Sequence, residues 1–113
     1  MNIFVLSQLF GDSARWHCDK HCVKMIVETC QLLYTAWWHG RTKDDIKWVQ
    51  PELEPWRATF KNHPCALWVR AESAHYFWAL DHGIELCKEY TRRYSTEKET
   101  KIHSVEKHLR RLR

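Results

Sequence analysis

The fold is decided by residues 16–38, which read WHCDKHCVKMIVETCQLLYTAWW. This stretch contains no glycine or proline, and it is followed by Gly40, a residue suited to the left-handed conformation that ends helices. Its apolar side chains recur at the three- and four-residue spacing of a buried helical face: Val23, Ile26, Val27, Cys30, Leu33, Tyr34 and Trp37. A second, polar stripe consists of His17, His21, Lys24, Glu28 and Gln31. We expect this polar stripe to take part in any chemistry that the protein performs.

A second long helix is predicted to begin at His63-Pro64 and to continue to about Arg93. Proline is favoured at the first helical position, where its missing N–H is not needed. Gly83 lies in the interior of this segment, where a glycine costs about 1 kcal/mol relative to alanine. We therefore expect either a kink or a close packing contact at Gly83.

The remaining segments are shorter. Residues 1–10 are apolar and are predicted to be extended or strand-like, and Asp12 or Ser13 is predicted to cap the first helix. Residues 41–61 form a connection, and a last short helix is predicted for residues 104–112. The predicted fold is all-α, with two long packed helices plus short helices and room for a small N-terminal strand.

The length of 113 residues predicts a single α-helical domain spanning residues 1–113. The hydrophobic fraction of 44% and the seven tryptophans favour a packed globule over a disordered chain. No apolar run approaches the roughly 20 residues that a membrane span needs, and no positively charged leader is recognisable. The five cysteines are odd in number, which favours free thiols in a reducing, intracellular compartment.

The net charge of +4 is unevenly distributed along the chain. Residues 1–83 contain nine Lys and Arg and nine Asp and Glu, whereas residues 84–113 contain nine and five. Part of this positive excess lies in a basic C-terminal segment at about residues 95–113. Such a segment suits nucleic-acid phosphates or another acidic partner, although a solvated helix end has the same composition.

Glu28, His21 and Lys24 form the first candidate site, because His21 and Glu28 lie two helical turns apart on one face. Burial of Glu28 would raise its pKa towards the range of a general acid or base. The alternative is a solvated helix face in which Lys24 and Glu28 form a weak ion pair.

A zinc site is the second candidate. Cys18, His21 and Cys22 fall within one turn, and His63 and Cys65 at the start of the second helix could complete a tetrahedron. Free cysteines more commonly pack as small hydrophobic residues. A nucleophilic thiol, Cys22 or Cys65 beside a histidine, is a further alternative.

The second helix carries a polar stripe of its own, with His75 and His82 on the same face as Glu72 and Glu85. This stripe could meet the first across a cleft, or it could simply face water. Most aromatic residues at helical spacing are predicted to be core, but several lie beside basic residues and could stack on bases.

Three segments together resemble a group of small, mostly uncharacterised phage and large-virus proteins: CDKHCVKMIVETCQLL (18–33), NHPCALWVRAESAHYFW (62–78) and LCKEYTRRY (86–94). Those proteins carry C-D-K-H-x-x-K-M followed by a glutamate. The resemblance implies a viral protein located in the cytoplasm of a host cell.

Asp19, His21 and Glu28, together with His63-Pro64, are similar to a pattern in the phage pyrimidine-dimer DNA glycosylase (endonuclease V) family. In that family the N-terminal amine attacks the sugar C1′ and forms a Schiff base, which a helix glutamate stabilises. The resemblance implies catalysis by Glu28 and by an amine at Met1 or Asn2, with no cofactor. Substrate contacts are expected from Lys20, His21, Lys24, His63, Arg70, Arg92, Arg93, Arg110 and Arg111.

Three features differ from that family's pattern. Asn2 follows Met1 where the family has a small residue, the segment after Glu28 is not arginine-rich, and residues 108–113 replace an aromatic tail. The leading hypothesis is a viral DNA glycosylase and AP lyase with DNA or a nucleotide as its partner. The alternatives are a non-enzymatic viral module that binds a nucleotide or host protein, and a zinc-stabilised protein.

Overall fold

A computed structural model describes residues 3, 10–39 and 55–112. Its helices are α1 (Phe10–Trp16), α2 (Asp19–Trp38), α3 (Pro64–Ala71), α4 (Ser73–Tyr94) and α5 (Glu106–Arg111). These residues include no strand, so the predicted all-α class with two long helices is confirmed. The predicted N-terminal strand and most of the long connection lie outside the described residues.

The predicted first helix is two helices. α1 begins at Phe10, ahead of both predicted caps, and the chain leaves the helical conformation at Cys18, which has φ −67° and ψ 160°. Asp12 pairs with Arg15 within α1 instead of capping a helix. The single helix predicted from the absence of glycine and proline is therefore wrong at this joint.

The predicted second helix is also divided. It begins as predicted, because the His63 Nδ1 accepts a hydrogen bond from the Cys65 N–H at 3.1 Å and Pro64 occupies the first turn. Glu72 is extended, with φ −145° and ψ 150°, and it separates α3 from α4. α4 runs unbroken through Gly83, so of the two options predicted for this glycine the close contact is the one observed.

α2 and α4 are antiparallel and enclose the core. The Cys22 thiol lies 3.8 Å from the Leu86 carbonyl oxygen, while Thr29, farther along α2, meets Gly83, earlier on α4. The buried face of α2 is rotated relative to the predicted face. Met25 and Leu32, which were not part of the predicted face, are buried. Three residues of the predicted face are only half-buried: Val23, Val27 and Trp37.

α5 packs onto this pair of helices through apolar and polar contacts. Leu109 is fully buried. The Tyr34 hydroxyl and the His108 Nδ1 are 2.6 Å apart, and the Tyr76 hydroxyl donates to the Leu112 carbonyl at 2.6 Å. The basic end of the chain is thus docked on the core. Among the described helices, none is both long enough and apolar enough to cross a membrane.

Gly83→Ala is expected to destabilise the protein. A methyl group at this position would lie 3.0 Å from the Thr29 Cγ2 and 3.3 Å from the Leu109 Cδ1, and both neighbours are fully packed. The overpacking cost, typically about 1–3 kcal/mol, should exceed the gain of about 1 kcal/mol in helix propensity. Urea denaturation measures the difference in the free energy of unfolding.

Gly11→Ala is the matched control for this substitution. Its new methyl group would meet no atom closer than the Glu85 Oε2 at 4.0 Å, so this variant should be as stable as wild type or slightly more stable. Equal free energies of unfolding for the two alanine variants would contradict this prediction, because they would mean that α2 and α5 move away from Gly83 at no cost.

Candidate functional site

Glu28 lies at the boundary between the core and the surface of α2. On the adjacent turns, Met25 and Leu32 are buried, whereas Lys24 is exposed. The Glu28 side chain is half-buried, and its Oε2 atom is shielded from solvent. Within the described helices Lys24 forms no ion pair with Glu28, so the inert surface pair considered from the sequence is not formed. The position suits a carboxylate that acts on a ligand at the edge of the core.

Three of the predicted substrate contacts lie on the exposed side of the same helix. Lys20, His21 and Lys24 are exposed. His21 and Glu28 are separated by about 10.5 Å along the helix axis at 1.5 Å per residue. Because the two residues share one face of α2, both side chains can contact the same extended ligand.

Arg93 is placed inside the protein, at the joint between α1 and α2. Its side chain is only 13% exposed. The guanidinium donates to the Glu89 Oε1 at 2.8 Å and to the Asp19 Oδ1 at 3.1 Å. It also donates to the carbonyl oxygens of Arg15 at 2.8 Å and His17 at 2.6 Å, which uses four of its five N–H groups. We therefore interpret Arg93 as a structural residue, in contrast to the DNA contact inferred from the sequence.

Arg92 binds the same Glu89 carboxylate as Arg93, but it lies at the surface. Its guanidinium donates to both carboxylate oxygens, and its side chain is 63% exposed. The hydrogen bond from Arg92 and that from Arg93 lower the pKa of Glu89 although the carboxyl is buried. Arg92 can still turn an N–H group towards a phosphate, so its predicted DNA contact stays a prediction.

The other predicted cationic contacts are spread over two helices. Arg110 on α5 is exposed and lies 3.6 Å from the Glu106 carboxylate, and Arg111 is half-buried. Arg70 on α3 and His63 before it are half-buried. Because the His63 Nδ1 accepts a hydrogen bond, the neutral ring carries its proton on Nε2. The structure describes neither Met1 nor Asn2, so the predicted amine lies outside it.

The zinc alternative finds no geometric support. Among the described residues, no three His, Cys, Asp or Glu side chains are arranged to hold a metal ion. Cys22 is fully buried against the Leu86 carbonyl, whereas Cys18 and His21 are exposed. Burial raises the pKa of the Cys22 thiol, which also disfavours its use as a nucleophile or a metal ligand.

Two histidines expected on polar stripes are buried. His17 donates from Nδ1 to the Ser13 carbonyl at 2.6 Å. His82 is 1% exposed, stacks on Trp78 at 5.2 Å, and has no hydrogen-bond partner for either ring nitrogen in the part of the chain described. Burial, and secondly His17, lower the pKa of His82 to about 4, so the ring is neutral near pH 7. The interpretation of His82 as part of a water-facing stripe was wrong.

An apolar pocket of about 300 Å³ was not anticipated. It is lined by Ile3, Pro64, Cys65, Trp68 and Trp78, which come from three separate parts of the chain. Trp68 and Trp78 gave only a weak indication of a pocket in the sequence, since tryptophans at helical spacing normally belong to a core. Trp68 is nevertheless 40% exposed.

The fold and these side chains define a small all-α protein in which a shielded carboxylate lies beside exposed cations. Residues 1–102 match the family described as pyrimidine dimer DNA glycosylase. The chain belongs to this family of DNA-repair glycosylases, which confirms the resemblance inferred from Asp19, His21 and Glu28. The matched region covers α1 to α4 and ends before α5.

No curated protein and no solved structure matched the chain significantly. The resemblance to uncharacterised phage and large-virus proteins stays a prediction.

Arg93→Gln is expected to lower the free energy of unfolding by about 2–3 kcal/mol, because it leaves buried acceptors at the α1–α2 joint without donors. Arg92→Gln removes a more exposed partner of the same carboxylate and should cost much less. Urea denaturation of both variants measures the difference. A stable Arg93→Gln protein with weakened DNA binding would instead support the contact inferred from the sequence.

His82→Phe is expected to reduce the acid sensitivity of the fold. The unfolded chain binds a proton at a pKa near 6.5, whereas folded His82 resists protonation until about pH 4. Stability contributed by neutral His82 is therefore lost as the pH falls from 6.5 towards 4, at up to about 1.4 kcal/mol per pH unit. As the pH falls through this window, the free energy of unfolding of His82→Phe should therefore rise relative to that of wild type. Urea denaturation at pH 7 and at pH 4.5 measures this change.

His39→Phe is the control, because His39 is exposed. Burial also lowers the pKa values of His103 and His108, but both residues remain in every protein compared. Parallel pH profiles for wild type and His82→Phe would contradict the assignment of His82 as a neutral core residue.

Proposed function

We propose that this protein is a DNA glycosylase with AP-lyase activity at pyrimidine dimers. The proposal is supported by membership of the pyrimidine dimer DNA glycosylase family over residues 1–102. The observation that carries it is the position of Glu28, a partly shielded carboxylate two turns after His21 on a helix whose outer side is cationic.

The reaction begins with a neutral amine at the start of the chain. Such an amine has an ordinary pKa of about 7.7, so a substantial fraction is nucleophilic at neutral pH. The amine nitrogen forms a bond to C1′ while the glycosidic bond breaks, and the base leaves with the bonding electron pair. Transfer of one amine proton to the sugar ring oxygen O4′, as the C1′–O4′ bond opens, then gives a cationic Schiff base and a free 4′-hydroxyl group.

Glu28 is assigned two roles at this intermediate. Its carboxylate stabilises the cation, and the interaction is strengthened because one carboxylate oxygen is removed from water. It then accepts the C2′ proton, so that β-elimination breaks the C3′–O bond and cuts the strand. Both roles need the carboxylate at the edge of the core, where it is shielded and still accessible.

Lys20 and Lys24 are proposed to hold the phosphates on either side of the reacting sugar. Both are exposed on α2, and Lys24 is one turn from Glu28. Contacts of this kind position the duplex without reading its sequence, and they weaken as salt displaces them. His21 lies between them and can donate to the same backbone.

The amine mechanism predicts a covalent adduct between the protein and DNA. Incubation with an abasic-site duplex and borohydride should trap the Schiff base as a stable amine, and mass spectrometry should locate the adduct on the N-terminal amine, at Met1 or at Asn2. An adduct on Lys20 or Lys24 would overturn the choice of nucleophile. Absence of any adduct and of any cleavage at dimers would leave a non-enzymatic DNA-binding module as the better description.

Glu28→Gln is expected to slow strand cleavage in single turnover by at least about 100-fold, the usual effect of losing a proton-transfer group. Glu85→Gln is the matched control, since Glu85 is a half-buried carboxylate on α4 that pairs with Lys88. Equal rates for the two variants would remove Glu28 from the mechanism.

A further inference from the structure

The apolar pocket has the shape and lining of a stacking site. Trp68 and Trp78 form two of its walls, with ring centroids 5.7 Å apart and planes at 89°. The other walls are Ile3, Pro64 and Cys65. A pocket of about 300 Å³ with almost no polar lining suits a flat, uncharged aromatic group.

Trp68 is held in place before any ligand arrives. The His75 ring stacks on its indole, with centroids 4.1 Å apart and planes 7° apart. The His75 Nδ1 donates to the Trp68 carbonyl oxygen at 2.7 Å, which fixes the stack. An exposed tryptophan would ordinarily lose side-chain freedom on binding, and this support reduces that loss.

The segment that leads into α3 is cationic. Residues 55–71 contain Arg57, Lys61 and Arg70 and no aspartate or glutamate, and the next acidic residue, Glu72, lies 3.9 Å from the His75 Nε2. Arg57 and Lys61 are exposed, and Lys61 lies three residues before the pocket wall at Pro64. Positive charge outside an apolar, aromatic pocket complements a ligand that combines phosphates with a flat base.

Phe60, next to Lys61, adds a second exposed aromatic side chain. It is 66% exposed, and its φ of 50° is unfavourable for a bulky residue. A strained turn that presents an apolar ring to water is costly, and such costs concentrate at binding sites.

We propose that the Trp68–Trp78 pocket binds an unpaired DNA base, and that the protein therefore binds single-stranded DNA as well as duplex. The choice of DNA as the ligand rests on the proposed function. One base stacks on the Trp68 indole, on the face away from His75, while Lys61 contacts a flanking phosphate. Stacking on aromatic side chains tolerates any base, so the site recognises the unpaired state and not the sequence.

The proposal is tested with two labelled oligomers of about ten units, within the range that such sites cover. One is oligothymidylate, and the other has the same phosphates with tetrahydrofuran in place of every nucleoside. Fluorescence anisotropy should show roughly tenfold tighter binding of the oligomer with bases. Equal affinities would mean that the phosphates alone are recognised, which would overturn the proposal.

Trp68→Ala should abolish the preference for bases and leave the affinity for the base-free oligomer unchanged. Trp16→Ala is the matched control, because Trp16 is a more exposed tryptophan on α1, at 61%. Lys61→Gln should weaken the binding of both oligomers equally. It should also reduce the salt dependence of the binding constant by the equivalent of about one phosphate contact. Circular dichroism confirms that each variant is folded. A preference that survives Trp68→Ala would overturn the assignment.

Cleavage of dimer-containing duplex is measured in parallel so that the two proposals can fail separately. Cleavage without any base preference would overturn the pocket assignment and leave the glycosylase intact. A base preference without cleavage or adduct would overturn the enzymatic proposal and leave a DNA-binding protein.

Discussion

The close approach of α2 and α4 at Gly83 is the constraint on which the rest of the structure depends. The missing side chain admits the Thr29 methyl group from α2 and the Leu109 side chain from α5, so three helices meet at one residue. Once Thr29 faces α4, the position of Glu28 is fixed, because it precedes Thr29 by about 100° of helical rotation. The carboxylate is thereby turned to the edge of the core. A buried packing contact, and not a local sequence preference, sets the accessibility of the candidate catalytic group.

Arg93 controls the far end of the same helix pair. The break between α1 and α2 leaves the Arg15 and His17 carbonyls without helical donors, and the guanidinium supplies them. Its charge is balanced by Glu89 and Asp19, so the site does not carry an isolated ion into the interior. The basic excess of the C-terminal quarter therefore overstates the charge that is available to a nucleic acid. Counting residues cannot separate a cation that binds DNA from one that completes the fold.

Periodicity and turn chemistry were sufficient for the parts of the fold that local rules determine. They predicted the all-α class, the long α2, and the start of α3 at His63-Pro64. They missed the breaks at Cys18 and Glu72, because neither residue is a glycine or a proline. At Cys18 the joint is held by Arg93 from α4, a tertiary contact that no local rule predicts. His82 was misplaced for a related reason, since a histidine near glutamates suggests a wet face until Trp78 and His17 are known to cover it.

The same limit applies to the candidate site, which divides into a predictable and an unpredictable part. Glu28 and His21 lie on one helix, so their spacing was visible in the sequence, and their roles in catalysis stay a prediction. The apolar pocket joins Ile3 to the start of α3 and to α4, and no spacing rule connects residues so far apart. Residues contributed by one element can be found by pattern, whereas a cavity between elements needs the packing itself.

The neutral histidine beneath the pocket bears on what the pocket can select. His82 stacks on Trp78, whose ring forms a pocket wall, and with a pKa of about 4 it carries no charge near pH 7. A cation at that depth would draw phosphate towards the aromatic walls and compete with a base for the cavity. With the imidazole neutral, His82 adds no positive charge behind Trp78, while the exposed Lys61 lies three residues before the pocket wall at Pro64. Phosphate is then attracted to the rim while the interior favours uncharged rings, and this separation of charge from aromatic surface lets one small site distinguish an unpaired base from a bare backbone.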